Sequence, residues 1–224
     1  RQAPIHRLGI SQILAYGLLF YSFASIKDAL AASVGVSDTA IINALSIALF
    51  IEALLAPLVG SLVDRLGAIV VLRTGLVIGG VGYGAMTLIP AIEWIWFCIG
   101  LVTIGHALGT YTVAFAVPVQ FDESTARRKI SMITFYGGVA SSLTWLATGA
   151  ALPVIGIEGT TMLGGAALIF MGGVVLRLHA SAKHQTIEKP EPFRWSLLER
   201  NEKRALTLMA ASGALDYINF TGLT

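Results

Sequence analysis

Six stretches of this chain stay apolar over about 20 residues each, the length a helix needs to cross a hydrocarbon layer at roughly 1.5 Å per residue. They run near Ile10 to Val34, Thr39 to Leu58, Ile69 to Ile89, Ile92 to Val119, Ile130 to Ile155 and Thr160 to Leu176, and a seventh begins near Ala205. Backbone in lipid must satisfy its own hydrogen bonds, so runs of this kind become helices. The expected fold class is therefore an all-α integral membrane protein. Composition agrees, since only 12% of residues are charged and 55% are hydrophobic, whereas about a quarter are charged in soluble domains. A single cysteine, Cys98, excludes an internal disulfide framework and a Cys-based metal site. No metal or cofactor is expected, and nothing resembles a cleavable signal peptide.

The connectors differ in kind. Those at 35 to 38, 90 to 91 and 156 to 159 are short, while those at 59 to 68, 120 to 129 and 177 to 204 carry charge. Every one of the fifteen Lys and Arg residues except Lys27 falls in the N-terminal stub or in or beside these charged connectors. By the positive-inside rule the N-terminus and the charged connectors are cytoplasmic, which makes the protein a multi-pass resident of the cell inner (plasma) membrane. Residues 1–178 read as an N-terminal six-helix bundle. Residues 179–204, with "KHQTIEKPEPFRWSLLERNEKR", read as a cytoplasmic linker with a short amphipathic stretch, and 205–224 as the start of helix 7. The chain lacks an initiator Met and stops at Thr224 inside an apolar run, so a longer chain with a C-terminal bundle is expected.

Between the second and third apolar runs stands "GSLVDRLGAIVVLR". A G-x-L-x-D-R-x-G pattern followed by a basic residue, in that connector, resembles the signature of the major facilitator superfamily, with Gly60, Leu62, Asp64, Arg65, Gly67 and Arg73 on its positions. The basic pair that usually follows the last glycine is replaced by Ala68 and Ile69. The resemblance covers nearly the whole chain and implies the first half of a twelve-helix transporter whose two six-helix bundles enclose a central site. It also implies that Gly60, Asp64, Arg65, Gly67 and Arg73 form a conformational gating motif. "YSFASIKDAL", "YTVAFAV" and "ITFYGGVASSLTW" look like helices 1, 4 and 5 of bacterial members akin to monocarboxylate and oxalate/formate porters.

Ionisable and polar side chains inside apolar helices are costly and mark candidate sites. Tyr16, Phe20, Phe23 and Lys27 follow one another at spacings of four, three and four, which on a regular helix forms an aromatic ladder ending at an ammonium. That face suits an organic anion, and the resemblance to monocarboxylate porters assigns substrate and proton binding to such a lysine. The competing reading is a lysine reaching for the outer surface beside Asp28. His106 and Thr110 in helix 4, Tyr136 and Trp145 in helix 5 and Asn219 in helix 7 complete the expected substrate contacts. His106, Glu52 in helix 2 and Asp216 in helix 7 are the candidates for carrying a proton. Gly75, Gly79, Gly80 and Gly84 in helix 3 read as close helix packing.

The expected function is secondary transport of a small organic anion such as a monocarboxylate, coupled to protons, by alternating access. Its partners are that small-molecule substrate, protons, the lipid bilayer and the C-terminal half of the same chain, with no nucleic acid. The alternatives are efflux of lipophilic drug-like compounds by proton antiport, or a membrane sensor on the same scaffold. Drug antiporters usually carry Gly-Pro late in helix 5 and an Arg early in helix 4, and neither is present here. An enzyme is not expected, because the chain has no HExxH, no GxSxG and no paired acids on one helix face.

Overall fold

The computed structural model describes residues 5–121 and 123–176, all within the first of two compact units, Arg1–Gln185 and Thr186–Thr224. The expected linker and helix 7 lie outside the described residues. Every regular element among the described residues is helical: α1 (Ile5–Tyr16), α2 (Phe23–Val34), α3 (Asp38–Leu66), α4 (Ala68–Ala85), α5 (Ile92–Gly109), α6 (Tyr111–Ala114), α7 (Ala116–Phe121), α8 (Glu123–Gly138) and α9 (Ala140–Phe170), with π turns at Gly17–Tyr21 and Met171–Val175.

The first membrane segment is α1, its π turn and α2, bent by 45°. Hydrogen-bond register explains the bend. The Ser22 amide reaches back five residues to the Gly17 carbonyl (2.7 Å), which strands the Leu18 carbonyl, and the Ser22 hydroxyl donates to it at 2.6 Å. At its far end α2 closes with Gly35 in the left-handed region (φ 71°) and the Val36 amide bonded to the Ala31 carbonyl, a Schellman cap.

The second segment runs longer than expected. Residues 59–66, expected as loop, continue α3 to Leu66, and one residue, Gly67 (φ 83°), separates it from α4. Asp64 and Arg65 do not break a helix, and only a glycine adopts that φ without strain. The first amide of α4, on Ala68, is capped by the Gln120 side-chain carbonyl at 2.9 Å. Likewise 123–129, expected as connector, already belong to α8.

The last apolar stretch, Ser124–Val175, spans 52 residues, more than twice what one crossing needs. It reverses at Gly156 (φ 66°, ψ −177°). Thr144 and Gly164 would lie about 30 Å apart on one straight helix; both instead pack at the Gly17–Leu18 step of the first segment. Counting that hairpin as two, the described unit has six crossings, in the order the apolar runs predicted.

The third segment packs tightly on two others through glycine. Gly75 and Gly79 lie against Gly109 and Gly105 of α5, and Gly80 and Gly84 lie against Gly165 of the sixth crossing. Backbone meets backbone along both seams, as the glycine run predicted. Around them Leu72, Leu76, Tyr83, Ile95, Ile99 and Leu168 are fully or almost fully buried. By contrast Ile47, Phe50, Ile51, Leu54 and Leu58 form an exposed apolar stripe along α3, consistent with a helix facing lipid or another apolar surface.

Candidate functional site

Two ionisable residues from different segments meet inside the bundle. Nδ1 of His106, from α5, lies 2.8 Å from Oε1 of Glu52, from α3, with side chains only 12% and 19% exposed. The other atom of each group, Glu52 Oε2 and His106 Nε2, is buried and has no hydrogen-bond partner among the described residues. With Nδ1 carrying the hydrogen, His106 donates to the carboxylate and its Nε2 is an acceptor.

Aromatic rings surround the pair. Tyr16 meets His106 edge-on at 5.4 Å between ring centroids, and Phe20 lies tilted over it at 5.7 Å. Tyr16 also contacts Tyr111 at 4.5 Å, and Tyr111 stacks on Phe115 at 4.8 Å. Local backbone explains why these residues converge. The chain leaves helical geometry at Thr110 (φ −107°, ψ −165°), and the Thr110 hydroxyl donates to the His106 carbonyl at 2.8 Å, taking up an acceptor released by the break. Beside them the buried Gln12 amide donates to the Gly109 carbonyl at 3.1 Å, tying the first segment to the same break.

Tyr16, Phe20, Glu52, His106 and Thr110 are thus brought together. The ladder predicted to continue through Phe23 to Lys27 is divided, because the π turn adds one residue to the helical register between Phe20 and Phe23. Phe23 turns into the core and meets Tyr83 edge-on at 6.2 Å. Lys27 lies at the far end of the bundle, where its Nζ contacts Asp28 (2.8 Å) and Asp38 (2.9 Å), and so joins α2 to α3. Tyr136 is at the opposite end, its hydroxyl 2.7 Å from His6 Nδ1, and Trp145 is exposed on α9. Asp216 and Asn219 lie outside the described residues.

The motif residues separate in the same way. Asp64 and Arg65 are exposed at the end of α3, Gly60 has open space around it, and Gly67 makes the sharp break. Arg73 points elsewhere, its Nε donating to the Gly172 carbonyl at 2.9 Å. Sequence reasoning missed Gln12, Tyr111 and Gln120. Gln12 and Tyr111 were visible as polar residues within apolar runs; nothing in the sequence marks Gln120 as the cap of α4.

Lys27 supplies a first prediction. Its ion pairs are accessible to solvent, and such pairs contribute little. Lys27→Met should leave the yield and thermal unfolding of the purified protein near wild type, measured by size-exclusion chromatography and a melting curve in detergent.

Among the described residues no cluster of three or more His, Cys, Asp or Glu could hold a metal ion. The family model described as Major Facilitator Superfamily matches residues 8–223. No curated protein and no solved structure matches the chain.

Proposed function

Because the chain belongs to the major facilitator superfamily, a superfamily of membrane transporters, we propose that it is a proton-coupled secondary transporter whose proton path includes Glu52 and His106. The observation that carries this reading is the 2.8 Å contact of two titratable groups inside a membrane bundle, each with a second polar atom buried and without a partner among the described residues. Leaving such atoms without partners is costly, and intramembrane ionisable groups mark substrate and proton pathways. With one proton the pair is neutral overall, as carboxylate and imidazolium or as acid and imidazole. A second proton gives it a single positive charge. The surrounding rings of Tyr16, Phe20 and Tyr111 would enclose the apolar part of a substrate.

On this reading the substrate is a small organic anion such as a monocarboxylate. Its charge offsets that of the doubly protonated pair, so proton and anion binding reinforce each other. Lys27 attracts an anion only after releasing Asp28 or Asp38, which places it at the entrance rather than at the site. The cytoplasm faces the end bearing Arg65, Arg127 and Arg128, and the two halves alternate access by rocking. A second reading, export of lipophilic cations by proton antiport, is favoured by one feature: an ionised Glu52 among aromatic rings is also a cation-binding arrangement.

Proton flux separates the two. With the full-length protein in proteoliposomes, adding a monocarboxylate outside should drive protons inward with it, read by an internal pH dye. A response confined to lipophilic cations, with protons moving opposite to them, would replace the first reading by the second. No proton movement with either class would sink both.

A further inference from the structure

The charged motif at the end of α3 led to the expectation that Arg73 works in a switching charge cluster, yet the chain gives this side chain a different partner. The sixth crossing ends in the π turn Met171–Val175. There the Leu176 amide bonds to the Met171 carbonyl, five residues back, at 3.0 Å. In an α-helix it would bond to Gly172, so the turn leaves the Gly172 carbonyl without its helical donor. Arg73 Nε donates to that carbonyl at 2.9 Å.

Two further observations converge on the same turn. Gly172 packs so closely on α4 that an added Cβ would fall 2.7 Å from the Arg73 carbonyl oxygen. Arg7, from α1, sends Nη1 to the Val175 carbonyl at 3.3 Å. Two guanidinium groups, from the first and third segments, therefore end on carbonyls of the last turn of the sixth. Cations are favoured towards the C-terminal, negative end of a helix.

We propose that Arg73 is a positioning residue that holds the Met171–Val175 turn in its π register, with Arg7 as a second tie, and so keeps Leu176 in the core. A π turn carries one more residue than the α-helix it interrupts. Relaxing it to α geometry would rotate the residues beyond the turn by about 100° and would carry Leu176, fully buried in this register, out of the core. The contact needs an N–H at the ε position and does not need a charge. A charge cluster needs the charge.

Two substitutions exploit that difference, because Gln carries an N–H donor at the same distance along its side chain as Arg Nε, and Met has none. The test places one cysteine at Leu176 in a Cys98→Ser background of the full-length protein and measures its rate of maleimide labelling in detergent. In the Arg73→Gln protein, Cys at 176 should stay as protected as with Arg73 in place. In Arg73→Met it should react about tenfold faster, the fold-change of losing one hydrogen bond. Equal rates in the two variants, or exposure in Arg73→Gln, would overturn the assignment. If Arg73→Met cannot be purified, Arg73→Gln alone decides: protection supports the clamp and exposure refutes it.

Discussion

Glu52→Gln should abolish uphill transport while sparing exchange. One pH unit is worth 1.36 kcal/mol per proton, a factor of ten, so a gradient of about two units drives roughly 100-fold accumulation through one coupled proton. Gln keeps the shape and one hydrogen-bond acceptor of Glu52 but takes up no proton. In proteoliposomes, accumulation of labelled substrate down an imposed pH gradient should fall to the level of the outside solution, and counterflow without a gradient should persist. Loss of both together would mean that Glu52 supports the fold or binds substrate directly rather than carrying the proton.

The companion variant behaves differently. His106→Asn removes the partner and leaves a buried carboxylate uncompensated, a loss of about 3–5 kcal/mol when the charge stays buried. Coupling is lost here as well, but the protein should unfold at a lower temperature than Glu52→Gln, and the double variant should recover much of that difference. A differential melting curve checks the order of the three.

A structural effect of similar size belongs to Gly105→Leu. A side chain at this position would run into the backbone of Gly79 and into the Gly75 carbonyl oxygen. Neither can turn aside as a side chain could. Spans three and four would have to part along the seam that carries His106, at a cost of about 3 kcal/mol, near the upper end of the usual overpacking range. Gly100→Leu is the control: it sits in the same helix, α5, with nothing within 4 Å of an added Cβ. Thermal unfolding in detergent should show a large drop for the first and almost none for the second. If both fell alike, a bulky side chain anywhere on α5, rather than the glycine seam, would be responsible, since leucine is the better helix former.

Physics decides which of these features were legible. The six crossings could be read because hydrophobic length is a property of composition along the chain, and the reversal at Gly156 fell within the expected 156–159 connector. The α3–α4 junction was drawn too wide. Charge suggested a loop over 59–68, whereas Asp64 and Arg65 continue the helix to Leu66 and only Gly67 departs from it. The two π turns were invisible, since a shift from fourth-residue to fifth-residue bonding depends on packing and leaves no mark in residue type. That one missed residue of register turned Phe23 and Lys27 away from the predicted ladder. Glu52 and His106 were each singled out as polar residues in apolar helices. Their meeting was not, because it depends on how α3 and α5 are rotated against each other, and nothing local to either helix states that angle.

Infrared difference spectroscopy between high and low pH tests the central claim most directly, since it detects protonation of a carboxyl group without requiring the substrate to be known. A carboxylic-acid band should be present in the wild-type spectrum, absent in Glu52→Gln and altered in His106→Asn, as the proposed sharing of a proton between the two residues requires. A Glu52→Gln spectrum identical to wild type would contradict that claim, leaving the pair a fixed structural contact and the proton path elsewhere.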